Sequence, residues 1–335
     1  MKEFKVGMVL GKFYPPHNGH LFLIDTAVAQ CDTVYVLCCS LMNESISGHL
    51  RWAWLSKIYR NNKNVKIIHI TDENPQHPEE GKKVQFYNIW YDTVYTNIPE
   101  RLDAVFTSED YGDEFAQSLK CKHVLVDKER VNVPISGTKV REDAHKNWDL
   151  LPDVVKGYFT KKIVVVGPES TGKSTLVNNL HKFFGGGIVP EYGRTYTDDI
   201  PDLKQLNKSD FERIGFGHCL EIGDNQIYPP PHRFKFIDTE AITTKVFGKL
   251  YLGDDFESKS LDMMIQQQKF DLWFLMDIDV PYVNDGNRLP ETYRQRHFNL
   301  LKDELDKRKI KYILLSGSFN DRYEMAKNAV CELLN

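Results

Sequence analysis

No stretch of this 335-residue chain reaches the roughly 20 consecutive apolar residues that a membrane-spanning helix requires. The N-terminus, MKEFKVGMVLGKF, runs from a few polar residues straight into an apolar run, which does not read as a secretory signal. Both absences lead to the expectation of a cytoplasmic protein with no membrane partner. A strong charge excess is also missing. Lys and Arg number 43 against 47 Asp and Glu, for a net charge of -4. A general nucleic-acid binder would show a basic excess, so DNA is not an expected partner.

Paired cysteines are absent as well. Cys31, Cys38, Cys39, Cys121, Cys219 and Cys331 contain no CxxC, and Cys38 and Cys39 sit inside an apolar run. That spacing argues against a disulfide scaffold and predicts reduced, mostly buried thiols. The chain holds no low-complexity tract and no internal repeat of about 20 to 50 residues. YPPPH, at 228–232, reads as a stiff turn before a strand and not as a linker.

What is present is an alternation of short apolar runs with longer helix-periodic segments. The runs FKVGMVL, TVYVLCC, VKIIHI, DAVFTS and HVLV in the first half predict five strands. KIVVVG, FKFID, FDLWFLMDID and KYILL predict four more in the second. Most are continuously apolar, which suits strands covered on both faces. The pattern predicts an α/β protein with two doubly wound parallel sheets. A restart at TKKIVVVGPESTGKST places the boundary near Thr160, giving domains 1–159 and 160–335. Each is long enough for its own core.

GPESTGKST fits G-x-x-x-x-G-K-[ST] at Gly167, Gly172, Lys173 and Ser174, followed by Thr175. A strand precedes it and a helix follows, the context in which backbone N–H groups and a helix N-terminus hold phosphate. Lys173 would reach the outer phosphates of ATP, and Ser174 would ligate Mg2+. FKFID ends in Asp238, at a strand end facing the ligand crevice, where it could hold Mg2+ or take a proton from a hydroxyl. Glu191, Tyr192 and Arg194 in PEYGRTY form a second polar group suited to a sugar, a flat ring and a phosphate. VNDGNRLPETYRQRHF supplies Arg288, Arg294 and Arg296, arginines suited to a lid over a transferred phosphoryl group.

GKFYPPHNGH is the second loop of interest. His17 and His20 fall at the start of a helix, where an anion is favoured. Zinc would need further ligands, and the other histidines and cysteines are scattered. Proton relay would need a carboxylate partner, and none is adjacent. Phosphate holding fits best. ISGTKVRE offers a second helix start with Ser136, Thr138 and Arg141, so two such starts in one domain could surround a triphosphate.

With the pair GxFxPxHxGH and ISxTxxR, the first half resembles the dinucleotide-fold nucleotidyltransferases that make NAD from nicotinamide mononucleotide. With PEYGR, FIDTEAITT and VNDGNR after the phosphate loop, nearly the whole chain resembles the NadR-type family. That family fuses nicotinamide-nucleotide adenylyltransferase to ribosylnicotinamide kinase. The resemblance implies phosphorylation of nicotinamide riboside in the second half. Adenylylation of the mononucleotide to NAD, with release of pyrophosphate, would follow in the first, with Mg2+ bridging ATP phosphates in both. It further implies that Gly11, Lys12, Phe13, His17, His20, Ser136, Thr138 and Arg141 bind ATP. Trp90 would stack on the nicotinamide, with a core tryptophan on an amphipathic helix as the competing reading of the pattern, and Arg51 would take the mononucleotide phosphate. Tyr282 stands where related kinases carry a tryptophan, and would join Glu191, Tyr192, Arg194 and Asp238 around the riboside. Enteric members carry an N-terminal helix-turn-helix domain; the first strand here begins at about residue 4, so DNA-binding regulation is not expected.

Two other readings compete. One is a fusion around a different HxGH nucleotidyltransferase, which would not account for the kinase segments. The other is a nucleotide sensor with one inactive half, against which stand the intact Lys173, His17 and His20. Whether the protein is a homo-oligomer is left open by the sequence.

Overall fold

The computed structural model describes residues 2–198, 200, 203–223, 231–283 and 290–334. Contacts divide the chain into two compact units, Met1–Tyr158 and Phe159–Asn335.

The first unit runs β1 (Phe4–Gly11), α1 (Asn18–Gln30), β2 (Cys31–Ser40), α2 (Gly48–Ile58), β3 (Val65–Thr71) and α3 (Lys83–Asn97). It continues with β4 (Ala104–Thr107), α4 (Gly112–Leu119), β5 (Lys122–Leu125), α5 (Gly137–Glu142) and α6 (Asp153–Phe159). All five strands are parallel, in the order β3-β2-β1-β4-β5. Side chains alternate across the sheet because successive Cβ atoms point to opposite faces. Val34, Val36 and Cys38 of β2 therefore pack with Leu23 and Ile24 of α1 and Leu55 of α2. Tyr35, Leu37 and Cys39 pack on the other face with Trp90 and Val94 of α3 and Phe115 of α4. The order of strands reverses between β1 and β4. A crevice opens at the carboxyl ends of strands at such a switch point.

The second unit begins with β6 (Lys161–Val166), α7 (Lys173–Phe184), β7 (Gly187–Val189), α8 (Tyr192–Thr197) and α9 (Lys208–Gly223). β8 (Phe234–Asp238), α10 (Ala241–Leu252), α11 (Lys259–Gln267) and β9 (Leu272–Met276) follow. It closes with α12 (Arg294–Lys307), β10 (Ile313–Leu315) and α13 (Phe319–Glu332). This sheet is also parallel, in the order β10-β9-β6-β8-β7. Ile163 and Val165 face α7 and α13, while Val164 and Val166 face α10 and α12.

The nine strands expected from apolar runs are all present. β9 is shorter than the run FDLWFLMDID, because Asp277 and its successors leave the sheet. β7 was not expected as a strand, since three residues starting with glycine give too short a pattern. The cysteines are all free; Cys31, Cys38 and Cys39 are buried, but Cys331 is exposed. The stretch YPPPH lies partly outside the described residues.

Candidate active sites

In the first unit the loop after β1 carries the two histidines. His17 caps α1: its Nδ1 accepts from the His20 backbone N–H at 3.2 Å. The two rings stack with centroids 3.6 Å apart, and the Phe13 ring abuts His20 edge-on at 5.0 Å. Burial pushes His17 down to about 4, aided by the charge of Arg130, and burial likewise holds His20 well below the ordinary imidazole value. Both rings are therefore neutral at pH 7. The Nδ1 of His20 is shut off from solvent with no hydrogen-bond partner among the described residues.

Ser136 caps α5 by accepting from Lys139 N–H at 3.3 Å. That helix start lies directly against the β1 loop. Arg141 Nη1 donates to the Tyr14 carbonyl at 2.5 Å and its Nη2 to Thr138 Oγ1 at 3.1 Å. The Arg141 guanidinium also lies over the Tyr14 ring, 4.3 Å from its centroid. The structure thus brings Gly11, Lys12, Phe13, His17, His20, Ser136, Thr138 and Arg141 to one end of the sheet.

Lys12 is paired with Glu44 at 3.0 Å. Arg51 takes a different place from that expected. It is 0% exposed, and its guanidinium donates to the Lys12 carbonyl at 2.8 Å, the Ser47 carbonyl at 3.3 Å and Glu44 at 2.5 Å. An arginine so enclosed shapes the β1 loop and has no open face for a phosphate. Trp90 is buried in the α3 core, with its indole N–H donating to the Pro75 carbonyl at 3.2 Å. In this arrangement it is a core residue.

Sequence reasoning missed Arg130. Asp127 builds the turn that presents it, accepting from the N–H groups of Val131, Asn132 and Val133 at 2.9 to 3.1 Å. Arg130 is exposed, yet its charge is felt at both histidines.

In the second unit the phosphate loop joins β6 to α7. Gly172 has φ 86°, and a Cβ there would stand 2.6 Å from the Phe319 ring. Lys173 opens α7, buried, with its Nζ donating to the Pro168 carbonyl at 3.0 Å. Ser174 Oγ donates to Asp238 Oδ2 at 2.5 Å. Asp238 is 3% exposed and its Oδ1 has no partner among the described residues. Burial raises its pKa to about 6, and Lys173 opposes the shift.

A pocket of about 510 Å³ extends from this loop between α8, α9 and α10. Lys173, Ser174, Thr175, Glu191 and Arg194 line its polar end. Phe211, Ile214, Phe247 and Tyr251 line the apolar part. Arg194 Nε stands 3.8 Å from Glu191. Tyr192 faces elsewhere: a Cβ on Gly217 of α9 would lie 2.2 Å from its ring, so the ring is laid on that helix. Tyr282 borders a smaller recess with Glu169, Pro290, Tyr293, Arg294 and His297. Arg294 is not free for a lid role in this arrangement. Its Nη1 donates to the Val280 carbonyl at 2.7 Å and its Nη2 to the Ser170 carbonyl at 3.2 Å. Arg296 pairs with Asp254 at the surface, 2.7 Å away. Arg288 lies outside the described residues.

Three features of this unit gave no sequence signal. Arg322 of α13, almost fully buried, bonds the Thr171 carbonyl at 3.1 Å, the Gly317 carbonyl at 3.0 Å and the Asp279 carboxylate. Glu240 caps α10, accepting from Ile242 and Thr243 N–H at 2.6 and 3.0 Å; burial raises its pKa to about 7. Phe319, 56% exposed, leans on the phosphate loop at Gly172.

A cytidylyltransferase-like family model matches residues 8–143, and an AAA-domain model matches residues 162–322. The chain is 31% identical to the trifunctional NAD biosynthesis/regulator protein NadR of Escherichia coli (strain K12), over 98% of this chain and 83% of that protein. The protein of the same name from Salmonella typhimurium is 29% identical, over 99% of this chain and 84% of its own length. A crystal structure of NadR protein in complex with NR shares the fold, with a TM-score of 0.81 at 22% identity, covering 99% of this chain and 97% of the other. Another, in complex with NAD and AMP-PNP, gives 0.80 at 23% identity, covering 100% and 98%. A nucleotidyltransferase-like unit followed by a P-loop kinase-like unit, matched almost end to end by these relatives, makes the chain a member of the NadR family.

Proposed function

We propose that the second unit transfers the γ-phosphoryl group of ATP to the 5′-hydroxyl of nicotinamide riboside. The first unit then joins the resulting mononucleotide to the AMP part of another ATP, releasing pyrophosphate and forming NAD. The observation that carries this reading is the pairing of two differently built phosphate sites in one chain. One is a stacked, neutral histidine pair at a helix start; the other is a P-loop beside a buried carboxylate and a nucleoside-sized pocket.

In the adenylyl transfer, a phosphate oxygen of the mononucleotide attacks the α-phosphorus and pyrophosphate leaves. No covalent enzyme intermediate is needed, so alignment and charge stabilisation supply the rate. His17 and His20, at the positive end of α1, hold the polyphosphate, and the orphaned His20 Nδ1 marks a group awaiting a partner. Lys12, Arg130, Ser136, Thr138 and Arg141 share its charge. Arg51 acts through the Lys12 carbonyl as a positioning residue.

In the kinase, the backbone of the loop from Gly167 to Thr175 and the Lys173 ammonium cradle the phosphates. Ser174 Oγ and the unpartnered Asp238 Oδ1 are hard oxygen donors that fit Mg2+. When bound there, the ion would offset phosphate charge. With Asp238 tied to Ser174, Glu191 is left at the pocket to take the proton from the 5′-hydroxyl. Arg194 steadies that carboxylate.

The test is incubation of the protein with ATP, Mg2+ and nicotinamide riboside, followed by chromatography. The mononucleotide and NAD should both accumulate. Formation of neither would overturn the proposal.

A further inference from the structure

The kinase pocket contains a polar group to which the phosphoryl-transfer chemistry gives no task. Phe211, Ile214 and His218 of α9 all line it. Their spacing of three and then four residues puts them on one stripe of the helix. The first two are apolar wall. His218 is 1% exposed, and neither of its ring nitrogens meets a hydrogen-bond partner at good geometry among the described residues. Only one nitrogen of a neutral ring can donate toward the neighbouring carbonyls of Pro190 and Asp238, so the other is left a buried acceptor that no donor reaches; that is costly, and a leucine or phenylalanine would fill the wall without the cost. The ring sits at the polar end of the stripe, where the Glu191 carboxylate and the carbonyls of Pro190 and Asp238 act on it. Burial outweighs them and keeps the imidazole neutral, with one donor and one acceptor nitrogen. A neutral imidazole does not repel a cationic pyridinium and can serve a hydroxyl in either sense.

We infer that His218 hydrogen-bonds a ring hydroxyl of the substrate ribose, and so selects ribosides over deoxyribosides. The inference rests on the reading of the pocket as a nucleoside site. Glu191 and Lys173 handle the 5′ end, and His218 grips the sugar beside it.

Steady-state kinetics of the full-length protein with nicotinamide riboside and its 2′-deoxy and 3′-deoxy analogues test it. The wild type should prefer the riboside over one of the two analogues by about 100-fold in kcat/KM, the scale set by leaving a buried partner unpaired. In His218→Phe that preference should fall to within a few-fold, while kcat/KM for that analogue stays near the wild-type value. His218→Gln, which keeps a donor and an acceptor, should retain most of the preference. Equal losses on riboside and both analogues, or an unchanged preference, would overturn the inference. His218→Ala carries the same reading if His218→Phe does not fold. Should nicotinamide riboside not be a substrate, the ratio is read on whichever of adenosine, guanosine, cytidine or uridine is phosphorylated. That outcome sinks the nicotinamide reading and leaves the hydroxyl reading decided on its own. Turnover of no riboside at all overturns both.

Discussion

The Cα of Gly137 faces the carbonyl of Tyr14 so closely that a Cβ at that position would stand 2.6 Å from the oxygen. The same oxygen accepts from Arg141 Nη1. Backbone cannot yield there as a side-chain tip could, so Gly137→Ala must push the α5 start away from the β1 loop. A shift of this kind in a phosphate-binding arrangement costs about 100-fold in rate. Adenylyl transfer should drop by that order in the variant while riboside phosphorylation by the same protein is unchanged. Equal activity of variant and wild type in the pyrophosphate-release assay would refute it.

The two sites share no residue. His20→Ala should abolish NAD formation from the mononucleotide and spare riboside phosphorylation; Lys173→Ala should do the reverse. Each reaction is assayed separately by chromatography on both variants. Loss of both activities in either variant, with its circular dichroism intact, would sink the two-site arrangement.

The neutral histidine pair gives the first unit a pH signature. His17 falls from 6.5 to about 4 in the fold, so the unfolded chain binds more protons between those values. Stability from this group is full above pH 6.5 and is lost as pH falls toward 4, by roughly 3 kcal/mol at about 1.4 kcal/mol per pKa unit. Polyphosphate binding should raise both histidines. Calorimetry of ATP binding to Lys173→Ala at pH 6, in buffers of different ionisation enthalpy, should therefore show proton uptake that shrinks when His17→Asn is added and vanishes when both histidines are replaced. Identical heats in all buffers would count against the histidines as phosphate ligands.

Asp238 has the opposite sign from a salt-bridged carboxylate. Its pKa rises from 3.8 to about 6 on burial, so the charged form strains the fold at neutral pH and the strain is relieved as pH falls below 6. Asp238→Asn should abolish kinase turnover yet raise the melting temperature of the second unit at pH 7.5. The wild-type kinase rate should also decline below about pH 6 as the carboxylate protonates. A variant that melts lower than wild type would show that burial of the charge is not the dominant effect.

Most of the fold was legible because strands buried on both faces write themselves as continuous apolar runs, as TVYVLCC does for β2. β7 escaped because three residues carry no periodicity. The histidine pair and the P-loop were legible for a related reason: each is a local strand–loop–helix word. Arg51 and Trp90 were not, since facing a ligand or the core depends on what folds over them. Glu44 and the Lys12 carbonyl enclose Arg51, and Pro75 covers the indole of Trp90. Gly137 gave no warning because the carbonyl that forbids its side chain lies at Tyr14, far back in the sequence.

The phosphate loop has its outward carbonyls occupied by distant cations. Ser170 is held by Arg294, 124 residues later, and Thr171 by Arg322, 151 residues later. During synthesis the loop therefore leaves the ribosome well before the side chains that fix its shape. Docking of α13 should therefore precede full nucleotide affinity of the kinase half, and a nascent chain halted within α12 is expected to hold its full P-loop motif yet retain ATP poorly.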